Sequence, residues 1–256
     1  MGLNEDINKT IEYAAKFGCW LNKSEIEERL LSSKFYKTSE INTVLKKIKR
    51  ENKESKCFEE KIGKARKLAK ELEKKFSDIL FVGVSGSVAS GHPKKVDDID
   101  ILIITKTHKL WKNRLKLRWW IFKNKIPHRK YGKLGKRDDF CFNLWLDEIS
   151  LDLPKEKRNL KNGVDLILLK PLVNKNQTYE KFILANNWAG KWVKTPYVNR
   201  TKDLRLEIQD SRIRQNILDK FINYLYFWPQ YIYMKRNRIQ KTVGLHQAFF
   251  HSQMVK

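Results

Sequence analysis

Two different periods of apolar positions run along this chain, and the switch between them marks its elements. Near the start, "NEDINKTIEYAAKF" spaces its apolar residues for one face of a helix. "EIEERLL" follows, opened by Ser24 and Glu27 in capping-box spacing, and "SEINTVLKKIKREN" predicts a third helix with a basic outer face. Three short helices within residues 1–53 predict a small winged-helix-like module. Residues 59–77 predict a longer helix, with Ile62, Ala65, Leu68, Ala69, Leu72 and Phe76 on one side.

The period then shortens. "ILFVGVSGS" is a brief β-branched and apolar run ending in a glycine turn, which reads as a buried strand. "DIDILIIT" predicts a second strand and "DFCFNLWLDE" (139–148) a third, with helices expected over 107–124 and 178–193. This order predicts an α+β fold: a mixed sheet with flanking helices, an N-terminal helical module and C-terminal helices. The expected units are 1–58, 59–175 and 176–256.

Between the first two strands lies "GVSGSVASGHPKKVDDIDILIIT". Gly86-x4-Gly91 has the spacing of a P-loop, but His92 and Pro93 stand where that loop needs Lys and Ser or Thr, and a strand follows instead of a long helix. A different reading uses every residue. Gly86-Ser87 makes a tight turn into a short helical turn, where backbone N–H groups and the Ser87 hydroxyl can hold phosphate oxygens. Gly91 and Pro93 end that turn. Asp98 and Asp100, two apart on a strand, share one face with Leu102 and Ile104, while Ile99, Ile101 and Ile103 face the other way. Adjacent carboxylates repel, and a hard divalent cation such as Mg²⁺ relieves the repulsion.

The combination of Gly86-Ser87, a spacer and Asp98-apolar-Asp100-apolar resembles the DNA polymerase beta-like nucleotidyltransferase superfamily. The resemblance covers about residues 79–105 and more weakly the strand and helix beyond. It implies an NTP substrate with its triphosphate on Gly86 and Ser87, and a two-metal Mg²⁺ site on Asp98 and Asp100 that serves transfer of a nucleotidyl group to an acceptor hydroxyl. Catalysing members add a third carboxylate from a later strand. At that position "CFNLW" carries Asn143, an amide that can ligate but brings no charge; Asp147, Asp152 and Asp165 are the other candidates.

Charge sharpens the picture of the partner. The net charge is +25, and residues 106–137 carry thirteen Lys or Arg and no acid, which favours RNA or another polyanion as acceptor. On a helix over 109–123, Lys109, Lys112, Lys116 and Lys123 share a face, and Arg114 with Arg118 falls in the apolar arc, from which Arg114 is expected to reach the triphosphate. The dense aromatics after Tyr224 read mainly as core. His246 and His251, five apart with no Cys or His cluster beside them, predict no metal site. Cys19, Cys57 and Cys141 lie far apart and fit a reducing compartment. The first residues carry no signal-peptide pattern, and "FINYLYFWPQYIYM" is too short and too interrupted for a membrane span, so a cytoplasmic protein is expected. The rival to an enzyme is a catalytically decayed member of the fold that binds nucleic acid or protein.

Overall fold

A computed structural model describes residues 2–48, 56–130, 135–202, 204, 217–236 and 242–250. Its centre is a six-stranded mixed sheet in the order β4-β1-β2-β3-β6-β5. The strands are β1 (Ile79–Ser85), β2 (Ile99–Thr105), β3 (Phe140–Asp147), β4 (Lys170–Asn174), β5 (Thr242–Val243) and β6 (Gln247–Phe249). β1 runs antiparallel to β2 and β4, β2 runs parallel to β3, and β6 is antiparallel to β3 and β5. The fold is α+β. The segment beyond 176, expected to be helical, also supplies the two strands at one end of the sheet order.

Three N-terminal helices, α1 (Leu3–Ala15), α2 (Lys23–Glu28) and α3 (Thr38–Lys46), enclose their own apolar cluster around Ile7, Leu21, Ile26, Leu30, Ile41 and Leu45. The cap of α2 lies two residues before the expected Ser24. Asn22 Oδ1 accepts from Glu25 N at 2.9 Å, and Glu25 answers by accepting from Asn22 N. Ser24 donates its hydroxyl to the same Asn22 oxygen, because Asn reaches the N3 amide and accepts at the cap as well as Ser does. The described residues contain no wing after α3; residues 49–55 of the expected module lie outside them.

The remaining helices are α4 (Lys56–Lys75), α5 (Gly86–Ala89), α6 (Leu110–Lys123), α7 (Leu160–Leu168), α8 (Thr178–Ala185), α9 (Lys194–Thr201) and α10 (Ile217–Arg236). Alternation along β2 divides the core. Ile99, Ile101 and Ile103 pack under α4, α6 and α10, with Leu72, Trp111 and Phe227. Leu102 and Ile104 pack on the other face under α7, α8 and α9, with Ile167, Phe182 and Tyr197. No helix among the described residues is long and apolar enough to cross a membrane; α10, which carries the longest apolar stretch, contains Pro229 and buries Asn223 and Gln230.

α6 departs from the expected arc. Leu110, Trp111, Leu117 and Ile121 are buried, while Leu115, Trp119 and Phe122 face outward, Phe122 with 81% of its surface exposed. Arg114 is drawn inward between α6 and α10. Its Nη1 donates to Gln230 Oε1 at 2.6 Å, and its guanidinium lies over the rings of Trp111 and Phe250.

Candidate active site

The site forms where three strand ends meet. β1 ends at Ser85, which pairs with Asp100 near the start of β2, and Asp100 pairs on its other side with Cys141 near the start of β3. One ligand atom each from Asp98, Asp100 and Cys141 lies within 4.8 Å of the others. The turn after β1 closes over them. Gly86 has φ +67°, and a Cβ there would sit 2.6 Å from Asp100 Oδ2. The left-handed backbone and the missing side chain are therefore both required for this turn to lie against the carboxylate. The short helix α5 starts at Gly86, and Gly91, with φ +83°, follows it.

Electrostatics at the centre are unbalanced. Asp100 Oδ1 is buried and accepts no hydrogen bond. Burial, and then the neighbouring Asp98 carboxylate, raise the Asp100 pKa to about 7. Asp98 is met by Arg129, whose Nη1 donates to Asp98 Oδ2 at 3.0 Å. Burial and the two carboxylates hold the Cys141 thiol in its neutral form, well above the usual thiol range. Asn143 turns its amide to the Cys141 sulfur.

Two cavities flank Asp100. One of about 450 Å³ reaches from Gly86, Ser87, Asp98 and Asp100 past Arg29, Lys94, Arg129 and Lys161 to Tyr13 and Phe17 of α1. The other, about 380 Å³, runs beneath Leu102, Leu144, Phe182 and Phe249 and carries Lys157, Asn159 and Asn162. Gly86, Asp100, Lys161 and Asp165 border both. The N-terminal helical module grips the turn after β1: Arg29 Nη2 donates to Ser90 O at 3.1 Å, and Glu25 Oε1 lies 2.8 Å from His92 Nε2.

A nucleotidyltransferase-domain family model matches residues 65–185. The chain carries a nucleotidyltransferase domain. The match supports a place for this domain in the polymerase beta-like superfamily, and the matched span contains the Gly-Ser turn, both aspartates and β3. No curated protein and no solved structure matches the chain.

Within the nucleotidyltransferase domain the candidate residues separate clearly. Gly86, Ser87, Asp98 and Asp100 border one cavity. Asp147 does not join them. It sits at the opposite end of β3, paired with Thr105 at the end of β2, and contacts His108 and His246. Asp152 lies in the loop after β3 and binds Arg158 Nη2 at 2.6 Å. Asp165 is held by Lys161 at 2.6 Å but borders both cavities. Arg114 lies across the sheet, buried beside Trp111, Phe250 and Gln230, because α6 packs on the face opposite the aspartates. Its burial, and then Arg118, push its pKa down to about 9. The guanidinium beside the carboxylates is Arg129, from the same basic stretch.

Cys141, Arg129 and Lys161 escaped the sequence reading. A period of two along β3 puts Cys141 on the same face as Asn143, so the strand offered two candidates, and only the parallel register with β2 selects between them. Arg129 and Lys161 lie in a loop and on a helix with no spacing relation to the aspartates.

Proposed function

We propose that the domain transfers a nucleotidyl group from an NTP to an acceptor hydroxyl in a Mg²⁺-dependent reaction. The observation that carries this reading is the packing of the Gly86 turn on a carboxylate pair, in a cavity ringed by Arg29, Lys94, Arg129 and Lys161. The same wall carries Asp97, Asp98, Asp100 and Asp165, and Arg129 and Lys161 are paired with Asp98 and Asp165; a cation held by Asp98 and Asp100 would free positive charge for a polyphosphate. Gly86 and Ser87 would receive phosphate oxygens on backbone N–H groups that the start of α5 leaves without helical partners. Tyr13 and Phe17 offer an apolar wall farther out.

The residues fit a hard cation in part. The unpartnered Asp100 Oδ1 and the Asp98 carboxylate supply charged oxygen donors, while the neutral Cys141 thiol is a poor ligand for Mg²⁺. Asp98 and Asp100 would hold the metal, which when bound supplies charge neutralisation at the α-phosphate and the leaving pyrophosphate. The chain's own groups do the rest. Arg129 and Lys161 orient the phosphates, and the acceptor oxygen displaces pyrophosphate at the α-phosphorus as its proton passes to solvent. The exposed Lys116 and Lys123 of α6, with Lys125 and Lys130 after it, make RNA the favoured acceptor. Residues 131–134 of that basic stretch lie outside the described ones.

Cys141 favours one second reading, a binder in which the same cavity holds nucleotide without turnover. Incubation with each labelled NTP, Mg²⁺ and cellular extract, followed by nuclease or protease digestion, separates the two. Labelled RNA that is absent with Asp98→Ala/Asp100→Ala supports transfer to RNA. Nucleotide binding with no labelled product supports the binder.

A further inference from the structure

A second cluster of ligating side chains lies at the opposite ends of the same two strands. Asp147 closes β3 and is fully buried. His108 follows β2 in the loop before α6, and His246 lies in the turn between β5 and β6. One ligand atom from each comes within 4.8 Å of the other two. His246 Nδ1 lies 2.8 Å from Asp147 Oδ2, and the His108 backbone N–H donates to that same oxygen at 3.1 Å. The two imidazole rings are 5.1 Å apart. No spacing in the sequence announces this group, because its members are separated by 39 and 99 positions.

His108 points to a ligand. It is only 3% exposed, yet neither ring nitrogen has a hydrogen-bond partner. A buried imidazole without a partner is costly, and its backbone adds strain, with φ at +60° for a residue that has a Cβ. The same stretch buries the hydroxyls of Thr105 and Thr107 without partners. Nothing in nucleotidyl transfer uses these groups.

We propose that His108, Asp147 and His246 bind one Zn²⁺ ion. Two imidazole nitrogens and one carboxylate oxygen suit a borderline cation such as zinc and not Mg²⁺. Three protein ligands leave a fourth position for water. The surroundings already orient the donors. Asp147 Oδ1 accepts from Ile149 N at 3.0 Å, leaving Oδ2 for the cluster. Trp111 Nε1 donates to Gly244 O and Leu245 O, each at 3.2 Å, and Asn223 Nδ2 donates to Leu245 O at 3.1 Å, which fixes the turn carrying His246. His246 is 29% exposed and gives the ion a way in. Bound there, zinc ties the turn of β5–β6 to the ends of β2 and β3.

The test uses the full chain, stripped with chelator, in an Asp98→Asn/Asp100→Asn background so that only this cluster is read. Titration of Zn²⁺ against a chromophoric chelator is expected to give one ion per chain with a raised melting temperature. Co²⁺ in its place is expected to give tetrahedral d–d bands and no thiolate charge transfer. His246→Ala, on a surface turn, is expected to weaken Zn²⁺ binding by more than the ~10–100-fold that changes around a metal's ligands cost. His246→Cys, which keeps a zinc donor, is expected to restore it. Unchanged Zn²⁺ binding in His246→Ala, or no stoichiometric binding in the parent, overturns the proposal.

Discussion

Asp100 and Cys141 stand opposite each other on the parallel strands β2 and β3, so a buried thiol occupies the position across the sheet from the Asp100 carboxylate. The charge at this centre is thereby two carboxylates and not three. Cys141→Asp is expected to destabilise the metal-free protein by placing a buried third acid beside Asp98 and Asp100, and to raise Mg²⁺ affinity by roughly tenfold or more, since charge count tunes such sites over decades. Thermal melts with and without Mg²⁺ read both effects. A variant that Mg²⁺ fails to stabilise more than the parent argues against a cation between these strands.

Gly86→Ala tests the turn. The φ of +67° costs a residue with a Cβ about 1–2 kcal/mol, and the methyl would meet Asp100 Oδ2. Displacing that carboxylate by about 1 Å is expected to cost about a hundredfold in transfer rate. Chemical denaturation and a rate assay together separate the modest loss of stability from the larger loss of activity.

Lys61 holds the approach to the aspartates from behind. It is 1% exposed, and its ammonium donates to Asp97 O and to Asp138 Oδ1, both at 2.6 Å. Lys61→Met is expected to destabilise the fold by about 3 kcal/mol, at the low end for a buried pair losing one partner because Lys64 still faces Asp138. Burial raises the Asp138 pKa, but hydrogen bonds from Lys61 and then Lys64 outweigh it and hold the carboxyl below its usual range. That contribution is present above the ordinary carboxylate range and is lost as pH falls through the depressed value, so the acid limb of a stability profile should flatten in Lys61→Met.

Asp100 has the opposite sign. Its pKa rises from 3.8 to about 7, so the folded state holds a proton that the unfolded chain releases. Metal-free protein should lose stability as pH rises between those values, with a slope of up to about 1.4 kcal/mol per pH unit from this group, and Asp100→Asn should remove the slope. In the proposed site Mg²⁺ would displace the same proton, and its affinity should therefore climb with pH up to about 7 and level off above. Calorimetry in buffers of different ionisation enthalpy reads the released proton directly.

The sequence makes much of the sheet and half of the site legible, for identifiable reasons. β1 and β2 are short, apolar and bounded by turn residues, and the alternation of Asp98, Asp100, Leu102 and Ile104 against Ile99, Ile101 and Ile103 assigns both faces of β2 correctly. Local patterns also place Gly86, Ser87 and the aspartates on one cavity. Long-range pairing is what local patterns lack. Cys141 is picked out by strand register, Asp147 is carried to the far end of the sheet by strand length, and Arg114 is turned away because α6 lies on the other face. The cluster of His108, Asp147 and His246 likewise exists only after β6 pairs with β3.

The most direct measurement compares α- and γ-labelled NTP in parallel reactions with the purified protein, Mg²⁺ and RNA. The account predicts that α-label enters RNA, that γ-label leaves only as pyrophosphate, and that Asp98→Asn/Asp100→Asn abolishes both. Label that enters RNA from the γ-position, or α-label transfer that survives the double substitution, would contradict it.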